Sequence, residues 1–114
     1  MKIIIKATGF ELTPSIQEAA EKKLSSIAKF IPENTEPVEL RVEVGLTSKH
    51  HAKGDIFRAE ANLLIHNDLL RVESCKEDLM MAITDAKDEL QEQIRKYKGK
   101  QADAGRDLKK TLRG

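Results

Sequence analysis

Val38-Glu39-Leu40-Arg41-Val42-Glu43-Val44-Gly45-Leu46 alternates between apolar and charged residues. Val38, Leu40, Val42, Val44 and Leu46 fall on one side, and Glu39, Arg41 and Glu43 on the other. Successive side chains of a strand point to opposite faces, so the pattern predicts a strand with one buried face and one wet face. Two stretches downstream repeat it. Phe57, Ala59, Ala61, Leu63 and Ile65 alternate with Arg58, Glu60 and Asn62, and Leu70, Val72 and Ser74 alternate with Leu69, Arg71, Glu73 and Cys75. Polar Thr47 to Asp55 reads as a connecting loop, and His66-Asn67-Asp68 as a tight turn. Upstream, residues 2–8 carry Ile3, Ile4 and Ile5 and read as a further strand.

A sheet with one apolar face must be covered, and the chain supplies two amphipathic helices for it. Thr13 suits an N-cap and Pro14 the first turn, where a missing N–H costs nothing. Ile16, Ala20, Leu24, Ile27 and Ile31 then recur at spacings of three and four until Pro32, which opens a loop to Pro37. Glu77 and Asp78 favour the positive end of a second helix, whose stripe is Leu79, Ile83, Ala86, Leu90, Ile94 and Tyr97. Gly99 is the expected stop, and residues 101–114 form a basic tail without periodicity, expected to be disordered. The order is β-α-β-β-β-α, an α+β fold. It predicts a four-stranded mixed sheet with both helices on one face, in a single domain over residues 1–100. The first two strands should be parallel through a right-handed crossover and the last three an antiparallel meander. The run α-β-β-β-α is also the order of a double-stranded-RNA-binding domain.

With 114 residues there is room for one ordinary domain. No apolar run approaches the roughly 18–20 residues of a membrane span, and Met1-Lys2-Ile3-Ile4-Ile5-Lys6 is too short for a signal peptide. A single cysteine, Cys75, excludes an internal disulfide and a Cys-rich zinc site, which points to a reducing, cytoplasmic setting. Aromatic residues are only 4%, so the core must be aliphatic and base stacking is not expected as the main activity. The formal net charge of +1 hides an asymmetry. Residues 93–114 hold eight basic and two acidic residues, +6, whereas residues 1–92 hold twelve basic and seventeen acidic ones, −5. A basic end on an acidic body points to a polyanionic partner met at that end.

Several features carry no chemistry. The chain has no phosphate-binding glycine loop, no HExxH and no nucleophile elbow, so no catalytic residues, small-molecule substrate or cofactor are expected. His50 and His51 are adjacent and, with His66 and Asp55, lack the spacing of metal ligands. Cys75 has no catalytic histidine partner in sequence, Met80 is expected to fill core space, and Met81 to lie at its margin.

Four stretches together resemble one bacterial family, the short form of the ribosome hibernation-promoting factors and ribosome-associated inhibitors, over about Lys2 to Lys100. They are Glu11-Leu12-Thr13-Pro14-Ser15-Ile16 leading to Leu24, Ile27 and Phe30; Phe57-Arg58-Ala59-Glu60; Leu70-Arg71-Val72-Glu73; and Glu77-Asp78-Leu79-Met80-Met81-Ala82-Ile83 continued by Leu90 and Gln93-Ile94-Arg95-Lys96-Tyr97-Lys98. The resemblance implies a non-enzymatic protein that binds the rRNA of the small ribosomal subunit in the decoding region, where mRNA and tRNA would lie, and keeps idle ribosomes inactive. It implies a monomer off the ribosome, and no further domain of the kind that pairs ribosomes in the long forms. Lys22 and Lys23 match the basic pair of the family's first helix, and Arg95, Lys96 and Lys98 the basic end of the second. There is one departure. Where the family commonly has Lys-Leu-x-Arg-Gln, this chain has Glu89-Leu90-Gln91-Glu92-Gln93, so two expected cations are anions. Lys87 offers partial compensation at a different angle.

Lys and Arg bind folded RNA by displacing counterions from phosphates, which needs no base readout. The candidate contacts are therefore Lys22, Lys23 and Lys29 on the first helix, and Lys87, Arg95, Lys96 and Lys98 on the second, with Lys100 close to its C-terminal end. Lys22 and Lys29 are seven residues apart, hence on one face of an α-helix. Two structural readings compete. Basic residues favour a helix C-terminus by about 0.3–1 kcal/mol each, and Glu18 can pair with Lys22 one turn away. The mixed charges of the wet sheet face read as cross-strand ion pairs, Arg71 included. The alternative function is a general double-stranded-RNA-binding module, which the acidic body, Glu89 and Glu92 disfavour.

Overall fold

The computed structural model describes residues 1–32, 38–47 and 56–113. Residues 33–37 and 48–55, most of the two stretches that the sequence reads as loops and including His50, His51 and Asp55, lie outside the described residues. The elements are β1 (Lys2–Thr8), α1 (Pro14–Ser25) continued by a 3₁₀ turn (Ser26–Phe30), β2 (Val38–Thr47), β3 (Ile56–Ile65), β4 (Asp68–Lys76) and α2 (Leu79–Arg113). The strands form one sheet in the order β1-β2-β3-β4. β1 is parallel to β2, with Ile3 opposite Leu40 and Ile5 opposite Val42. β2, β3 and β4 are antiparallel neighbours, with Val42 opposite Ala61 and Ala61 opposite Val72. This is the expected α+β arrangement.

The register places the apolar alternate residues on one face. Leu40, Val42, Val44, Ala59, Ala61, Leu63 and Val72 are buried there against Ala20, Leu24 and Ile27 of the first helical segment and Ile83, Ala86, Leu90 and Ile94 of α2. With so few aromatic residues the core is aliphatic. Phe10 and Phe57 add a ring pair, which meets edge to face at 5.6 Å. Gly9 connects β1 to α1 with φ +86°, a left-handed conformation, and a Cβ there would come within 3.3 Å of the Leu46 carbonyl oxygen. Both facts favour glycine.

Local chemistry sets the helix ends. The Thr13 hydroxyl accepts from the Ile16 N–H at 3.3 Å, and the Asp78 carboxylate accepts from the Met81 N–H at 3.0 Å. Each satisfies a backbone donor that has no intrahelical partner. Two findings differ from the sequence reading. The first helix does not run as α-helix to Ile31. It tightens into a 3₁₀ turn where Ser25 donates to the Lys22 carbonyl (2.9 Å) and Ser26 to the Lys23 carbonyl (2.6 Å). Serine hydroxyls compete with the i→i−4 ladder and favour such tightening. Lys29 is therefore turned further round the axis than α-helical spacing from Lys22 predicts. Gly99, in turn, does not end the second helix, which continues to Arg113. A glycine stops a helix when it takes the left-handed conformation after the last turn. Gly99 does not, and the following Gln, Ala, Leu and Lys residues are good helix formers.

Candidate nucleic-acid interface

The two sides of the molecule treat their cations differently. On the open sheet face, Arg58 donates to Glu73 at 2.7 and 2.9 Å and to Glu60 at 3.0 Å. Arg71 pairs with Glu60 at 3.1 Å, while Arg41 and Lys2 share Glu39 at 3.1 and 4.0 Å. The Arg58 bonds to Glu73, with the charges of both glutamates, hold the guanidinium still more firmly protonated. The amide of Asn62 at 3.1 Å, then Arg71 and Arg58, pull the Glu60 carboxyl below its ordinary value, and Arg58 does the same to Glu73. The charges of this face pair across strands in Arg58–Glu73, Arg71–Glu60 and Lys2–Glu39 and along a strand in Arg58–Glu60 and Arg41–Glu39, so most of them neutralise one another. Lys6 is the cation there without such a partner among the described residues.

The helical side is organised otherwise. Lys22 and Lys96 are exposed and make no side-chain hydrogen bond or ion pair among the described residues. Lys29 lies 5.4 Å from the centre of the Phe30 ring, a cation–π contact that leaves its charge intact. Lys23, half-buried, donates to the Thr84 hydroxyl at 2.9 Å, and Lys98 to the Phe30 carbonyl at 2.8 Å. Both acceptors are neutral, so neither bond sets a carboxylate against these cations. Lys87 and Arg95 differ. Lys87 pairs with Asp88 at 2.9 Å and Arg95 with Glu92 at 2.7 Å. Lys100 lies in α2, with its side chain outside the described residues. The expected Glu18–Lys22 pair is not formed; Gln17 donates to Glu21 at 3.1 Å instead.

The eight candidate cations therefore separate into groups. Lys29, Lys96 and Lys98 stand at the level where the 3₁₀ turn meets the later part of α2, with Arg95 beside them in the chain. Lys22 and Lys23 stand earlier, on α1. Between the two levels α2 is acidic, with Asp85, Asp88, Glu89 and Glu92. An open groove of about 380 Å³ there mixes Lys23 and Lys76 with Asp85 and Asp88 and has no net preference for an anion.

Sequence reasoning missed the bonds that hold this layer in place. Lys23–Thr84 and Lys98–Phe30 link residues 61 and 68 apart. The Tyr97 hydroxyl donates to Asp68 at 2.8 Å, tying α2 to the start of β4. Burial, that bond and the Asp68 charge push the phenol above its usual range. Ser74, buried on β4, donates to Asp85 of α2 at 2.6 Å. Only Tyr97 carried a signal, as an aromatic at a core-stripe position that needs a partner for its hydroxyl. Met81, expected at the core margin, is 60% exposed. Among the described residues no group of three metal-ligating side chains is present, and no helix is long and apolar enough to cross a membrane.

Comparison with known proteins agrees with the architecture. A ribosome hibernation promotion factor from a Picosynechococcus strain is 28% identical over 101 residues, 88% of this chain and 50% of that protein. The chain thus spans about half the length of that curated relative. The crystal structure of the N-terminal domain of Thermus thermophilus Protein Y superposes with a TM-score of 0.70 at 28% identity, covering 85% of this chain and 99% of that one. A ribosomal subunit interface protein from Coxiella burnetii shares the fold, with a TM-score of 0.69 at 18% identity, covering 87% of this chain and 99% of that one. Residues 3–102 match the sequence profile of the family described as sigma 54 modulation protein / S30EA ribosomal protein, and the chain belongs to that family.

Proposed function

We propose that this chain is a ribosome hibernation factor of the cytoplasm. It binds the rRNA of the small subunit in the decoding region and keeps idle ribosomes inactive by occupying the path of mRNA and tRNA. One observation carries the reading: cations of the sheet face are mostly cancelled by carboxylates, whereas Lys22, Lys23, Lys29, Lys96 and Lys98 on the helical side are not. Uncancelled cations on a rigid layer are what a phosphate-lined surface of fixed shape selects. The protein performs no chemistry in this role. It acts by excluding other ligands. The similarity to a hibernation promotion factor supports the same reading.

The test is sedimentation of the purified chain with vacant small subunits, with and without mRNA and tRNA. Binding that mRNA or tRNA displaces is the expected result. Equal affinity for any RNA duplex of similar length would favour a general double-stranded-RNA-binding module, and no binding at moderate salt by the folded chain would overturn the proposal.

A further inference from the structure

We propose that Lys23 and Lys98 are positioning residues that pin the two helical segments together and set the spacing of the cations that meet phosphate. The inference rests on the rRNA-binding reading and gives two of its expected contacts a different task. The Lys23 ammonium reaches from α1 to Thr84 in the second turn of α2 (2.9 Å). Thr84 in turn donates to the Met80 carbonyl at 2.7 Å, which fixes the hydroxyl that Lys23 uses. The Lys98 ammonium reaches back from α2 to the Phe30 carbonyl, at the end of the 3₁₀ turn (2.8 Å). That carbonyl belongs to the negative end of its segment, where a cation is favoured.

The geometry of two pins matters. A single point contact between two rods leaves them free to pivot about it. A second contact, seven residues on along the first segment and fourteen along α2, removes that freedom. The two segments run in the same sense, so both register and angle are set. Uncancelled cations flank each pin along the chain. Lys22 is next to Lys23, Lys29 is next to Phe30, and Lys96 is two residues before Lys98. Apolar packing alone would tolerate small slides of one aliphatic helix on another, because it is non-directional. The lysine bonds are directional. An RNA surface of fixed shape binds best when its phosphates find the cations already spaced, with no ordering left to do on binding.

Two measurements test this. The first uses the free chain. Nitroxide labels at exposed Ala28 and Gln93, in a Cys75→Ser background, report the distance between the segments by electron spin resonance. A narrow distribution is expected for the parent and a broadened or shifted one for Lys23→Gln and Lys98→Gln. An unchanged distribution overturns the pins whether or not the protein binds ribosomes. The second compares small-subunit affinity over a range of salt. Lys96→Gln should lower the slope of log K against log salt by about 0.7–0.9, the loss of one phosphate contact. Lys98→Gln should weaken binding about threefold to tenfold while changing the slope less than half as much. An equal drop in slope would make Lys98 a direct contact, and parent affinity would give it no part in binding; either overturns the proposal. Failure of the parent chain to bind would overturn the rRNA reading instead, and the spectroscopic result would still decide the pins.

Discussion

Lys96 and Lys98 stand two residues apart on one helix, and their surroundings give them different prospects. Lys96 is exposed and unpartnered among the described residues, so nothing in the fold is lost when it changes. Lys96→Glu should weaken small-subunit binding about tenfold or more, and the thermal midpoint should stay within about 2 °C of the parent. Affinity and melting curves on the same preparation check both parts. Among the described residues, His66 is the non-glycine residue with a left-handed backbone, φ +54°, in the turn between β3 and β4. An L side chain pays roughly 1–2 kcal/mol there, and glycine's extra chain entropy offsets about half of that. His66→Gly should therefore stabilise the protein by about 0.5 kcal/mol in urea unfolding. Destabilisation would show that the imidazole makes a contact of its own.

At the scale of elements, α2 is the unusual one. It is 35 residues long, about 52 Å at 1.5 Å per residue, and Gly99 lies inside it with open space where a Cβ would stand. Gly99→Ala should add about 1 kcal/mol of helix stability, read as increased helical circular dichroism and a higher urea midpoint. No gain would mean the segment beyond Gly99 is not helical in solution. The Asp78 cap should be worth about 1 kcal/mol, lost in Asp78→Ala and read from the same urea curves. The strands were legible in the sequence because a period of two, sustained from Val38 to Leu46, fits a half-buried strand and clashes with the 3.6-residue period of a helix. Both helices were legible from their stripes and from Thr13, Pro14 and Asp78. The 3₁₀ turn was not, because Ser25 and Ser26 look like ordinary helix positions until their hydroxyls are seen on the carbonyls three residues back. Gly99 misled because a glycine after a periodic run usually marks an end. As for the site, the cationic residue types were readable. Which of them stay uncancelled was not, since Thr84, the Phe30 carbonyl and Asp68 are chain-distant partners that only the fold supplies.

The whole molecule is a two-sided plate, with a charge-cancelled sheet on one side and an uncancelled cationic edge on the other. The cancelled side governs acid stability. Glu60 and Glu73 titrate below their ordinary 4.5 when folded, so the unfolded chain takes up protons first as pH falls. Their stabilisation is full above that value and fades as pH drops through the folded values. The urea midpoint should decline below about pH 4.5, and Glu60→Gln should flatten the decline. A parent curve as flat as that of the variant would remove the network from the account. In the proposed function the cationic edge makes the contact with rRNA, and the structure of the chain on a vacant small subunit is the most direct test of it. The account predicts Lys29 and Lys96 within hydrogen-bond reach of rRNA phosphates in the decoding region, with the Arg58–Glu73 face turned away. Finding the sheet face against the rRNA, or the chain seated elsewhere on the ribosome, would contradict it.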